Sequence, residues 1–243
     1  MDRYIDCHVH LDLYDYPDQI ISEYEKRQIY AFFVTFLPEL FERSFLKVQR
    51  CRFVRMGLGY HPEMVREYPF QEDIFKKYIG SAKYLGEIGL DFSKKNEPYK
   101  DEQMRIFETI LTYIGEKPKL LSLHSRCAEK TIIDLLFKYK VKHTIFHWYT
   151  GPVNLIRTIA EQGYYFSVNP KMMKSDSGRK IIGEIPLSQL LVETDGPFVN
   201  YDKKTITPMH IPQFYEDLER FLGTRNLKSI VYNNFRTMVN RLV

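Results

Sequence analysis

The chain has 243 residues, 44% of them hydrophobic, with 35 basic and 31 acidic side chains for a net charge of +4. That length suits one large domain over 1–243 or two small ones, and the apolar fraction allows a sizeable core. No apolar run reaches the roughly 18–20 residues of a membrane span. The charge surplus is far below that of a nucleic-acid coat protein, although it permits a polyanionic substrate.

The start of the chain lacks the basic and apolar regions of a signal peptide. Its three cysteines, Cys7, Cys51 and Cys127, have no CxxC spacing and cannot all pair. We therefore expect a cytoplasmic protein with no membrane contact. Residues Tyr4–Asp12 (YIDCHVHLD) alternate polar and apolar side chains, the period of a strand, which places His8 and His10 on one face as a clamp for a metal ion. Helices are expected over Pro17–Tyr30 and Pro38–Arg50, each with proline near its first turn, and a short buried strand over Ala31–Thr35 between them. Strands follow at Phe53–Leu58, Tyr84–Leu90, Leu120–His124, His143–His147, Tyr164–Val168 and Leu190–Glu193. Helices alternate with them at Phe70–Ser81, Pro98–Gly115, Ala128–Tyr139, Val153–Glu161 and Ser177–Ile185. The stretch Met209–Leu242 reads as two helices divided near Gly223.

Eight short strands alternating with helices, without a linker, predict an α/β fold: a single (β/α)8 TIM barrel with additional C-terminal helices. An open doubly wound sheet would carry a glycine-rich phosphate turn after its first strand, where this chain has His-x-His-Leu-Asp. Five of the seven histidines fall at strand ends or just beyond: His8 and His10, His61, His124 and His147. Glu87 and Asp195 occupy equivalent positions. In such a barrel those ends share one face, so the residues converge into a cluster of imidazoles and carboxylates sufficient for two metals bridged by a carboxylate. His143, at the start of its strand, is expected to be structural. His210 either approaches a substrate or caps a helix.

The motifs DCHVHLD, GLGYHPE, GEIGLDF, HSR, HWYTG and ETDGP occur in an order and spacing that resemble the TatD family of metal-dependent deoxyribonucleases. The resemblance covers nearly the whole chain. It implies a TIM-barrel member of the amidohydrolase superfamily that hydrolyses DNA exonucleolytically with two divalent metals. By that resemblance His8 and His10 hold the first metal with Asp195, Glu87 bridges both, and His124 and His147 hold the second. The departures are Cys127 after HSR, HWYTG, ETDGPFV and TITPMHIP. They leave the ligand positions filled and resemble a short, divergent member found with bacterial anti-phage defence modules, which implies protein partners in a defence complex.

On this reading two metals hold a hydroxide between them for attack on DNA, with Asp195 as general base and Glu87 essential to both sites. Asp195 is otherwise a helix N-cap, and Glu87 a salt-bridged strand end. His61 is a proton donor or a contact to the scissile group; the plain alternative is a structural histidine in a His-Pro turn. Arg126 is placed for a bidentate phosphate contact or a surface ion pair, and Asp91 for orienting a ligand histidine or a phosphate-binding loop from behind. Tyr60, Trp148 and Tyr149 lie in loops where bases stack. Lys171 and Lys174 suit a DNA backbone, although a solvated loop pair is the more usual explanation. Zinc, nickel and manganese suit the imidazoles; magnesium ordinarily prefers more oxygen. Two other functions compete: an amidohydrolase or small-phosphoester hydrolase, and a non-catalytic docking subunit of a defence complex.

Overall fold

The structure, a computed structural model, describes residues 2–242; Met1 and Val243, the ends of the expected 1–243 domain, lie outside the described residues. Strand β1 (Ile5–Val9) is buried along its whole length. An alternating strand ordinarily turns its polar face to water. Here Asp6, His8 and His10 are buried as well, so hydrogen bonds must replace hydration.

Helix α1 (Pro17–Arg27) opens on proline and ends at Gln28 in a left-handed conformation. It leads to β2 (Tyr30–Val34), α2 (Pro38–Val48), β3 (Val54–Gly57), α3 (Glu72–Ile79) and β4 (Tyr84–Gly89). The next helix, expected from Pro98, begins later. A 3-10 segment over Lys94–Tyr99 contains Pro98, and α4 spans Lys100–Ile114. The alternation continues through β5 (Leu120–His124), α5 (Glu129–Lys138), β6 (Thr144–His147), α6 (Asn154–Glu161) and β7 (Tyr165–Val168). A short extra helix, α7 (Pro170–Met173), is capped by the Asn169 side chain, whose Oδ1 accepts from the amides of Lys171 and Met172. Then come α8 (Asp176–Glu184) and β8 (Leu190–Val192). A small hairpin of β9 (Asn200–Tyr201) and β10 (Lys204–Thr205) turns through Asp202 and Lys203, both at positive φ. Such turns join antiparallel strands tightly. Helices α9 (Ile211–Leu222) and α10 (Leu227–Asn240) finish the described chain.

Strands β1–β2–β3 and β4 through β8 form two parallel runs. They join at a bridge between Leu58 and Leu85, reinforced by the amide of Glu87 donating to the Thr35 carbonyl at 3.1 Å. The seam between β8 and β1 is held by single bonds: the Asp195 amide to the His8 carbonyl at 2.9 Å, and the His10 amide to the Gly196 carbonyl at 2.8 Å. Asp6 clasps the same seam, accepting from the Thr194 amide at 2.8 Å, the Thr194 hydroxyl at 2.7 Å and the Tyr24 hydroxyl at 2.5 Å. The result is the (β/α)8 barrel expected, with a continuous apolar core reaching from β1 to α10. Among the described residues, no helix is long and apolar enough to cross a membrane.

Candidate metal centre and its cleft

The residues singled out at strand ends meet at one end of the barrel. The Nε2 atoms of His8 and His10 lie 3.1 Å apart. Each is 3.4 Å from Glu87 Oε2, and they are 3.7 and 3.6 Å from Asp195 Oδ1. Ligand bonds of about 2.0–2.2 Å in a tetrahedron put donors roughly 3.3–3.6 Å apart, so this group has the spacing of a cation's ligand shell. The other oxygen of Glu87, Oε1, faces His124 Nδ1 at 2.8 Å, His147 Nε2 at 2.9 Å and His61 Nε2 at 3.2 Å. Three compact donor groups result: His8–His10–Asp195, His8–Glu87–His147 and His61–Glu87–His124.

What each imidazole presents inward depends on what holds its far nitrogen. His8 Nδ1 pairs with the Ser122 hydroxyl at 2.7 Å, His124 Nε2 with Asp91 Oδ2 at 3.0 Å, and His147 Nδ1 faces Glu193 Oε1 at 3.6 Å. The Ser122 hydroxyl suits either tautomer of His8, and His147 Nδ1 makes no hydrogen bond. The Asp91 carboxylate only accepts, so in the neutral ring of His124 the proton sits on the outer nitrogen and a lone pair turns toward the cluster. His61 is the reverse. Its Nδ1 accepts the Glu63 amide at 3.1 Å, so in the neutral ring the inward Nε2 carries hydrogen.

Charge follows the same plan. Burial alone raises the cost of ionising Glu87, but His61, His147, His10 and His124 hold its carboxyl well below the usual range. His8, buried beside His147, is held down to about 3. Burial also opposes the charge of His10, yet Asp195 and Glu87 lift it to about 9. Two ring nitrogens turned on each other beside ionised carboxylates call for a cation or shared protons between them. The donor set of imidazole and carboxylate fits divalent transition metals.

Backbone geometry brings the groups this close. A Cβ on Gly59 would sit 1.8 Å from the Thr35 carbonyl, where the β3 end passes between β2 and Glu87. Gly89 has φ of +139°, and a Cβ there would lie 2.0 Å from the carbonyl of His124. Only glycine allows such contact. Asp195 takes φ of +48°, which lets its amide tie to β1 while its carboxylate turns to His8 and His10.

The family described as TatD related DNase matches residues 5–240. The chain belongs to the TatD family. It is therefore a metal-dependent hydrolase of that family, on the α/β barrel expected from its motifs. It is 28% identical over 220 residues to the putative deoxyribonuclease TATDN3 of Mus musculus, covering 83% of this chain and 75% of that one. An uncharacterized metal-dependent hydrolase of Methanocaldococcus jannaschii is 27% identical over 243 residues, covering 96% and 95%. Among solved structures, a TatD homologue from Escherichia coli superposes with a TM-score of 0.84 at 18% identity, covering 99% of this chain and 97% of the other. A TatD-family hydrolase of Entamoeba histolytica gives 0.78 at 16%, covering 98% of each. Likeness at those identities speaks for the fold.

In this TatD chain the cluster floors a cleft of about 580 Å³. Arg126 and Trp148 line it, as expected, and Arg126 is exposed with no ion pair among the described residues. Lys171 also lines it, its ammonium 5.1 Å above the Trp148 ring, which sets it apart from an ordinary solvated lysine. Lys174 instead donates to the Asn200 carbonyl. Asp91 holds His124, as its position after the fourth strand suggested.

Tyr60 corrects the expectation. It offers no stacking face: its ring is buried edge-on to Phe70 at 5.0 Å, and its hydroxyl donates to the Tyr68 carbonyl at 2.8 Å. Tyr149 is buried likewise, its hydroxyl satisfied by the Pro152 carbonyl at 2.8 Å. A tyrosine with a nearby carbonyl packs its ring inward without leaving a polar atom bare. His210 closes a helix-start capping box with Thr207, and the half-buried His143 precedes β6.

Sequence reasoning missed Glu193, Ser122, Phe36 and Phe198. Glu193 accepts from the Asn169 amide group at 2.9 Å and the Trp148 backbone amide at 3.1 Å, and also bonds the Ser167 hydroxyl. Two of these four carried a signal. Ser122 and Glu193 stand two positions before His124 and Asp195, so period-2 alternation puts each on its partner's face. The two phenylalanines carried none, since nothing in sequence separates a cleft-wall ring from a core ring.

Proposed function

We propose that this chain hydrolyses phosphodiester bonds of DNA with two divalent metals, working from strand ends. The observation that carries the reading is the division of Glu87, one oxygen toward His8 and His10 and the other toward His124 and His147. A single carboxylate so placed can serve two cations. Relatives named deoxyribonucleases, including Tat-D of Schizosaccharomyces pombe at 33% identity over 125 residues, covering 50% of this chain and 40% of that one, support DNA as the substrate. So does a cleft walled by Arg126, Lys171 and the rings of Phe36, Trp148 and the exposed Phe198, rather than closed over a small molecule.

His8, His10 and Asp195 would hold one metal, and His124 and His147 the other, with Glu87 shared. When bound, such metals act as Lewis acids, lower the pKa of water and stabilise charge on both the attacking and leaving oxygens. Asp195, beside His8 and His10, accepts the proton of the attacking water. His61, whose inward nitrogen carries hydrogen, donates to the scissile phosphate or the departing oxygen. Arg126, unpaired among the described residues, grips a neighbouring phosphate.

The test is cleavage of end-labelled single- and double-stranded DNA by metal-stripped protein with each divalent metal restored, beside Asp195→Ala. Metal-restored cleavage in a ladder from one end, absent from the variant, is the expected result. Cleavage that persists in Asp195→Ala, or no cleavage of DNA with any metal, overturns the reading.

A further inference from the structure

Of the large apolar side chains exposed among the described residues, Phe198 is the one on the wall of the cleft, and it is 50% exposed. An apolar ring left open beside a polar centre invites a ligand. Phe198 is also held in place. Its amide donates to the Asp195 carbonyl at 3.0 Å, and its ring meets His10 edge-on at 5.2 Å. Phe36 supports it in near-parallel contact, centroids 5.9 Å apart and planes 20° apart. Phe36 in turn leans on His10 at 4.5 Å and His61 at 4.8 Å. The two rings thus form a fixed apolar face joined directly to the metal-centre histidines. The same cleft carries the cations Arg126 and Lys171.

We propose that Phe198, braced by Phe36, is the stacking platform for one unpaired base next to the phosphate held at the metal centre. The proposal rests on the nuclease reading and narrows its substrate to strands with an unstacked base at that position. A polyanion meets cations and an aromatic face within one cleft, which is how single strands are gripped without sequence preference. Inside a duplex both faces of a base are covered by its neighbours, so a base reaching Phe198 there must have left the stack, whereas at a strand end one face is already free.

The test is a cycle between ring and base. Metal-loaded protein is titrated with a nuclease-resistant, labelled pentathymidylate, intact or made abasic at each position in turn. One position is expected to stand out: removing its base weakens binding to the natural protein by roughly 5- to 150-fold, the worth of one base on an aromatic ring. In Phe198→Ala the intact strand binds weaker by a similar factor, and removing that base then changes nothing further. Phe198→Tyr restores the sensitivity. Equal sensitivity to every abasic position in the natural protein and in Phe198→Ala overturns the platform. If DNA is still cleaved, the nuclease reading survives that result. A protein that neither binds nor cleaves any DNA overturns both.

Discussion

His61 and His124 sit with ring centroids 4.7 Å apart, both touching Glu87 Oε1, yet their outer partners differ. An amide N–H behind His61 leaves a proton facing inward; the Asp91 carboxylate behind His124 leaves a lone pair. On the proposed mechanism these neighbours have different tasks, His61 donating toward the substrate and His124 holding a metal. Replacing His61 by Asn is expected to lower kcat about 10²- to 10⁴-fold, the usual worth of a placed acid, while the protein still binds its full complement of metal. Steady-state kinetics beside elemental analysis reads the difference, and a variant that loses metal would make His61 a ligand. Glu193→Gln predicts the opposite split. Without the carboxylate behind His147 Nδ1, metal affinity should fall about 10- to 100-fold in a chelator competition, with cleavage recovering at high metal. An unchanged affinity would reduce Glu193 to a structural residue of the β8 end.

At the scale of the element, the strands were legible because buried parallel strands are apolar runs between turns, and six of the eight carry, at or just past the end, a histidine or carboxylate that a barrel gathers at one face. The site was legible for a related reason: His, Glu and Asp are conspicuous wherever they close an apolar strand. What surrounds the site was not, because packing decides it. Tyr60 and Trp148 have the same standing in sequence, but a neighbouring carbonyl draws Tyr60 inward while Trp148 stays on the cleft. Glycine shows the same division. Gly59 and Gly183 look alike along the chain, yet a Cβ at Gly59 would lie 1.8 Å from a carbonyl oxygen and one at Gly183, in α8, meets nothing within 4 Å. Gly59→Ala should therefore force β2 and β4 apart at Glu87, costing about 3 kcal/mol and lowering Tm by about 6–12 °C. Gly183→Ala should stabilise by about 0.5–1 kcal/mol through helix propensity. Thermal melts of the two variants check this, and a Gly59→Ala protein as stable as the natural one would mean the close approach is not needed.

At the scale of the whole molecule, the centre crosses the weakest line of the barrel. Strand β8 is short and reaches β1 through single hydrogen bonds and the Asp6 clasp, whereas β4 to β7 pair in ladders broken only by a register shift between Leu85 and Ile88. Asp195 on one side of that seam and His8 and His10 on the other point at the same place, and Glu87 extends the cluster to β4. A cation bound there would fasten strands from both runs of the sheet, and the unfolded chain offers no such gathered site, so binding must appear as stability. At a free metal concentration about 100 times the Kd, one site contributes about 2.7 kcal/mol, which for a chain of this size raises Tm by about 5–11 °C over metal-stripped protein. Glu87→Gln, with the shared carboxylate neutralised, should keep its barrel but lose most of that rise. Melting curves of both proteins in chelator and in saturating metal decide the matter: a natural protein whose Tm is the same in each would show that the cluster closes the seam without a cation.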